Sequence, residues 1–322
     1  MTVQMTSHDL AAIRTGFDVN PARSLSLRAE AYTDPKWFAY EQSAIFAKHW
    51  IWVCHVEKVR ANGAYTTAMV AGRPVAIVRD QAGQLRAFYN VCKHRAHELL
   101  QGDGETTRIM CPYHAWVYDL TGQLRRAPET ENLENFETND ICLDTVQVDN
   151  FLECYHCPTA HKDFCTLVDM DTYKVTTHGI YSSHMADAGT SENAAYDVSN
   201  ATVRTHAVWW LWPTTCLMRY PGRSSMIVLN IIPISENRTL ETYDFFLETP
   251  EPDEGEVEVI RYLDEVLQVE DIGLVESVQC GMKTPAFQQG RIVHDPEGSG
   301  KSEHAVHHFH SLVLDAYEKG TA

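Results

Sequence analysis

Aromatic and aliphatic residues recur at helical spacing between Pro35 and Trp50 (Trp37, Phe38, Tyr40, Ile45, Phe46, Trp50), which predicts a helix there. From Ile51 to Asn90 the pattern changes. Short β-branched and aromatic runs at Tyr65–Val70, Pro74–Arg79 and Leu85–Asn90 are divided by turn residues at 71–73 and 80–83, so strands are expected. Ala115 to Leu124 reads as strand, turn, strand, and Ile141 to Val148 as one more strand. Beyond an aromatic stretch from Val208 to Tyr220, Met226–Pro233 and Thr239–Leu247 predict antiparallel strands. Val257–Leu267 and Glu270–Met282 predict helices. A closing helix over Glu303–Tyr317 puts Ala305, Val306, Phe309, Leu312, Val313 and Ala316 on one face. Residues up to about Leu25 read as an arm or early helix.

Composition narrows the class without naming it. A chain of 322 residues suits two domains. With 26 Lys and Arg against 44 Asp and Glu, the formal charge of −18 repels phosphate backbones and argues against nucleic acid. No apolar run is long enough to span a bilayer. The first residues lack a basic stretch followed by an apolar core, so a cytoplasmic protein is expected. Nine cysteines in that setting point to metal ligation by some of them rather than to a disulfide framework.

Two stretches carry the chemistry. Cys92-Lys93-His94 and Cys111-Pro112-Tyr113-His114 each give one thiol and one imidazole from a loop after an expected strand. Two Cys and two His can hold zinc or a Rieske [2Fe–2S] cluster, where two His replace two Cys on one iron. The interleaving favours the cluster, because a zinc knuckle more often pairs Cys with Cys in one loop and His with His in the other. The second stretch, from Asn150 to His161, contains Glu153, His156 and His161. Glu153 and His156 share a helix face. His161 would be splayed by roughly 140° on a straight helix, but Pro158 can end or bend it. Imidazoles and a carboxylate from elsewhere would make a facial iron site.

Taken together these motifs resemble the oxygenase (alpha) subunit of the Rieske non-haem iron oxygenases, from Ala31 to the last helix. Within that family the chain looks closest to the branch acting on quaternary amines, the carnitine monooxygenases and betaine demethylases. The further tokens are Glu153-Cys154-Tyr155-His156-Cys157, residues 269–279, Gly290-Arg291-Ile292 and residues 302–310. The resemblance implies an α+β chain: an N-terminal all-β Rieske domain, then a helix-on-antiparallel-sheet (helix-grip, START-like) catalytic domain. Boundaries are expected at 1–50 for an arm and helix, 51–149 for the Rieske domain and 150–322 for the catalytic domain. It implies that Cys92 and Cys111 hold one iron of the cluster and His94 and His114 the other. His156, His161 and Asp271 would hold Fe(II), and Glu153 would join His114 of one subunit to His156 of the next in a homotrimer. Asp271 is otherwise a charge suited to a helix N-terminus, and Glu276 is its local competitor.

The implied activity is mono-oxygenation of a C–H bond beside a quaternary nitrogen. O2 is the cosubstrate, and electrons come from NAD(P)H through a flavin and iron–sulfur reductase. For carnitine the products would be trimethylamine and an aldehyde; glycine betaine or proline betaine N-demethylation is the alternative. An aromatic-ring-hydroxylating oxygenase and a non-catalytic Rieske electron carrier are remoter readings. Tyr181, Trp209, Trp210, Trp212, Tyr220 and Phe246 are candidates for an aromatic cage around the cation. The histidines His304, His307, His308 and His310 read as helix surface and packing residues. One departure stands out: only residues 115–149 separate His114 from Asn150, which favours an internal segment missing near 148–150.

Overall fold

The computed structural model describes residues 3–130, 136–145, 163–189 and 193–320. Glu153, His156 and His161 lie outside the described residues. The chain divides into two compact units, Trp50–Val148 and Met1–His49 with Asp149–Ala322. The N-terminal arm therefore belongs with the C-terminal half.

The unit Trp50–Val148 is all-β in its regular elements, apart from single 3₁₀ turns. Strands β1 (Ala64–Val70), β2 (Arg73–Arg79), β3 (Leu85–Tyr89) and β4 (Asp103–Glu105) form an antiparallel sheet in the order β3-β2-β1-β4. A smaller sheet joins β5 (Ile109–Met110), β6 (Val117–Tyr118) and β7 (Leu124–Arg126). The strand expected over Ile141–Val148 is reduced, among the described residues, to isolated bridges from Cys142 to Gln123 and from Thr145 to Phe88. The core between the sheets contains Val78, Phe88, Ile109, Tyr118, Leu124, Cys92 and Cys111. Strand β2 buries Val75 to Val78 in succession and gives Ala76 and Val78 to this core, while Arg79 donates to Val59 O before the strand and to Gly83 O in the turn after it.

In the other unit, α1 (Ser7–Ile13) opens with a capping box between Thr6 and Asp9. It is followed by α2 (Glu30–Thr33) and α3 (Pro35–Glu41), which Asp34 caps and Pro35 starts. The helix expected to reach Trp50 loosens into a π turn at Gln42–Phe46 and stops. A short helix α4 (Phe164–Leu167) leads into the sheet. Six strands follow in a plain antiparallel meander: β8 (Lys174–His178), β9 (Tyr181–Asp187), β10 (Thr205–Leu211), β11 (Thr215–Arg219), β12 (Met226–Ser235) and β13 (Arg238–Phe246). Register sets Val208 opposite His184 and Met218, so His184, Val208 and Met218 share the inner face. The helices α5 (Glu254–Tyr262) and α6 (Gln268–Met282) are joined by a π stretch, Leu263–Leu267, into one rod. The last helix, α7 (His304–Gly320), buries Ala305, Val313, Leu314, Ala316 and Tyr317. Helix and sheet share one core containing Phe164, Trp210, Tyr220, Tyr262 and Tyr317.

Two features bear on the short joint. Strand β13 is a sheet edge among the described residues, and no residue in it is buried. Helix α6 buries none of its residues either, and Val269, Ile272, Val275 and Val278 are exposed along it. Water-facing apolar residues at helical spacing mark a face that lacks its cover.

Candidate functional site

The two Cys-His loops are built alike. In the first, Cys92 N–H donates to His97 O at 2.9 Å and Ala96 N–H donates to Cys92 O at 2.9 Å; in the second, Cys111 N–H donates to Trp116 O at 2.8 Å and Ala115 N–H to Cys111 O at 3.0 Å. Each loop turns on an alanine with positive φ, 55° at Ala96 and 54° at Ala115. Non-glycine residues in that region cost energy and cluster at functional sites. The shared geometry puts both thiols inside, where Cys92 and Cys111 are 3% and 2% exposed. Both imidazoles lie outside, exposed, with ring centroids 4.5 Å apart. His94 is also stacked on Trp116 at 4.9 Å and 7°.

Burial pushes the Cys92 thiol up, and the neighbouring Cys111 adds to this. A buried thiol of raised pKa beside a second buried thiol is a poor arrangement without a cation to take the proton's place. Tyr118 contributes a polar contact: Lys93 N–H donates to its oxygen at 3.0 Å, and the hydroxyl meets Cys92 Sγ at 3.3 Å. With thiols inward and imidazoles outward, the four donors fit a cluster whose cysteine iron is buried and whose histidine iron faces the surface. None of this needed long-range assembly beyond bringing two hairpin ends together.

In the second unit only Asp271 of the expected triad lies in the described residues. It sits within the α5–α6 rod rather than at a free helix start, so its role is not that of a dipole-compensating charge. Its side chain is half-buried and its charge reaches the sheet. Tyr220 and Tyr243 are raised by burial first and by Asp271 in addition. Glu241 is raised by burial and by Asp271 too. Tyr196 and Tyr262 complete the set, with ring centroids 5.7 Å apart, and both Tyr220 and Tyr262 act on Tyr196. Glu276, the local competitor, is exposed.

The six aromatics expected to form a cage do not converge. Tyr220 faces Asp271's surroundings, with Phe164 edge-on at 6.1 Å and His206 at 5.1 Å. Trp210 and Trp212 instead pack on Phe309 of α7, at 5.3 and 5.7 Å, as core. Trp209 points to the opposite face of β10, across from Ser183 and Leu217. Tyr181 stacks on His178 at 4.4 Å. Phe246 lies on the face of β13 opposite to Tyr243 and Phe245, which pack into the core. Strand alternation explains the split: neighbours in sequence cannot share a sheet face. Tyr243, Tyr262 and Tyr196, missed from the sequence, are scattered singly and carry no local signal.

The histidines of α7 are spent on tethers. His304 Nε2–H donates to Val175 O at 3.0 Å, His307 to Asp18 O at 2.8 Å and His308 to Gly179 O at 3.1 Å; His310 pairs with the Tyr32 hydroxyl at 2.8 Å. His307 and His310 are buried rather than on the surface. Deeper in the sheet His206 is 1% exposed and neither ring nitrogen has a partner among the described residues. Burial lowers His206 to about 3, keeping the ring neutral.

The chain belongs to the Rieske non-haem iron oxygenases, as an oxygenase (alpha) subunit. Residues 49–137 match the Rieske [2Fe-2S] domain and residues 146–319 the catalytic domain of ring hydroxylating alpha subunits. It is an oxidoreductase, and its cofactors are a Rieske cluster and a mononuclear iron. The carnitine monooxygenase oxygenase subunit of Escherichia coli (strain K12) is 32% identical over 94% of this chain and 96% of that protein. A quaternary ammonium Rieske monooxygenase solved in complex with L-carnitine superposes with a TM-score of 0.82, at 29% identity over 94% of this chain and 98% of the other. Choline monooxygenase of Beta vulgaris is 26% identical over 98% of this chain and 84% of its own. The alignment to the Escherichia coli protein runs over 361 positions, more than the 322 residues of this chain, so that relative carries segments absent here. No helix among the described residues is long and apolar enough to cross a membrane.

Proposed function

We propose that this oxygenase hydroxylates a C–H bond beside a quaternary ammonium nitrogen, with carnitine or a close analogue as substrate. The observation that carries the reading is the tyrosine-lined face around Asp271. Tyr196, Tyr220, Tyr243 and Tyr262 gather there with the carboxylates of Asp271 and Glu241. A trimethylammonium group has no N–H to donate, so ring faces and negative charge are what can recognise it. The relatives named for carnitine and choline support the same class. N-demethylation of glycine betaine or proline betaine is the second reading, because the same recognition serves it.

We assign Cys92, Cys111, His94 and His114 to the cluster, and His156, His161 and Asp271 to the mononuclear iron. Phe164, three residues after His161, packs against Tyr220 beside the region that Asp271 influences. When bound, the two metal centres supply single-electron transfer and O2 activation. The chain's part is to bind and orient. The tyrosines hold the cationic end, and the half-buried Asp271 offers one carboxylate while leaving other faces open. His206 stays neutral behind Tyr220 and keeps charge out of the floor. Glu153 would link the two centres across a homotrimer; a cytoplasmic location and an NAD(P)H-dependent flavin/iron–sulfur reductase as electron donor complete the proposal.

O2 uptake with added reductase and NAD(P)H, across carnitine, γ-butyrobetaine, choline, glycine betaine and proline betaine, tests it. Uptake coupled to one of them is expected. Coupling to an uncharged aromatic instead, with none of the amines active, would sink it. An intact mass equal to the 36.5 kDa of this sequence would show whether the short joint is natural.

A further inference from the structure

Gln268 lies one helical turn before Asp271 on α6, so the two side chains share a face. Its amide is used at both ends. The Tyr243 hydroxyl donates to Gln268 Oε1 at 2.6 Å, and Gln268 Nε2–H donates to Glu241 Oε2 at 2.6 Å. Strand β13 presents Glu241 and Tyr243 two residues apart, hence on one face of the sheet. A single glutamine therefore fixes a ring and a carboxylate side by side, and Asp271 stands one turn further along.

Burial is the main influence raising the Glu241 carboxyl, and the charge of Asp271 adds to it. The hydrogen bond from Gln268 favours the ionised form of Glu241 against this. Asp271 is taken by the iron in the assignment above, and Glu241 has no cationic partner among the described residues. Its place on the edge strand β13 leaves it exposed. We propose that Glu241 is the specificity-determining residue for the positive charge of the substrate, facing the quaternary nitrogen while Tyr243 and Tyr220 take its methyl groups. Gln268 is a positioning residue that sets the spacing between carboxylate and ring. This rests on the quaternary-ammonium reading.

The probes are γ-butyrobetaine and 5,5-dimethylhexanoate, its isostere with carbon in place of nitrogen. Binding to the anaerobic, iron-loaded enzyme is measured by titration calorimetry, without turnover. In the Glu241→Gln variant γ-butyrobetaine should bind roughly two- to fivefold more weakly, as expected for losing one exposed charge pair. The isostere should bind as before, and iron content and visible absorption should be unchanged. Gln268→Met should weaken the cation in the same direction, and the wild-type preference should shrink as salt is raised. If Glu241→Gln keeps the wild-type preference for the cation, or weakens both probes alike, the assignment is wrong. A loss of iron in that variant would make Glu241 a metal ligand and overturn it too. A wild-type enzyme with no preference for the cation would remove the quaternary-ammonium reading first, and this inference with it.

Discussion

The two units build their sites in opposite ways. In Trp50–Val148 each donor pair sits within four residues of chain, and two loops with the same hydrogen-bond pattern place all four. In the larger unit Asp271 on α6, Tyr220 after β11, Tyr243 on β13 and Tyr262 on α5 come from sequence positions up to 51 apart. The first site is a local construction carried by a sheet. The second exists only because a helix rod is laid across a six-stranded sheet. A local site tolerates change elsewhere, whereas a dispersed one depends on every element that frames it. The bare flank of β13 and α6, on the side that carries Tyr243 and Asp271, makes the second site the more vulnerable.

The largest expected effects separate the two centres. Cys92→Ser or Cys111→Ser should abolish the red-brown absorption and lower activity by at least about a hundredfold, since first ligands matter more than their supports. Asp271→Ala should cost as much activity yet keep the colour, because only the mononuclear iron is lost. Metal analysis and visible spectra on the same samples would read both. Colour lost from the Asp271 variant would mean the units are not independent.

Acid should divide them next. His184, His206 and His310 are buried, and desolvation holds each near 3. Their folded values are depressed, so the stability they support is present above the unfolded value of about 6.5 and fades as pH falls below it. Between pH 7.5 and 5.5 the three together should remove about 4 kcal/mol from the larger unit. No histidine of Trp50–Val148 is buried. Calorimetric scans across that range should show one transition moving and the other holding; two transitions falling in parallel would contradict the burial argument.

Tyr118→Phe is a smaller probe of the local site. Losing a hydrogen bond worth about 1 kcal/mol at the Cys92 sulfur should lower the cluster's one-electron potential by about 40 mV, with iron content intact. Smallest of all, Trp209→Ala on the outer sheet face should change cation binding less than about twofold, whereas Tyr243→Ala should weaken it more than about fivefold. Equal effects from the two would return the cage to the aromatic cluster the sequence suggests.

Most of what lies close together in the chain could be read without coordinates. Cys92, His94, Cys111 and His114 announce themselves by spacing, and the strands flanking them follow from alternation. The runs 226–233 and 239–247 read as strands for the same reason, since period and turn chemistry are properties of a few consecutive residues, whereas 208–220 read only as an aromatic stretch and holds the end of one strand and the whole of the next. Asp271 was reachable only through resemblance, because a carboxylate in a helix has no local mark of metal binding. Which aromatics face the site was beyond the chain's own text. Trp209 and Trp210 look equivalent as letters, and the pleat sends them to opposite faces. Tyr243, Glu241 and Gln268 meet only once α6 lies over β13, because a rod on a sheet joins residues that share no sequence window.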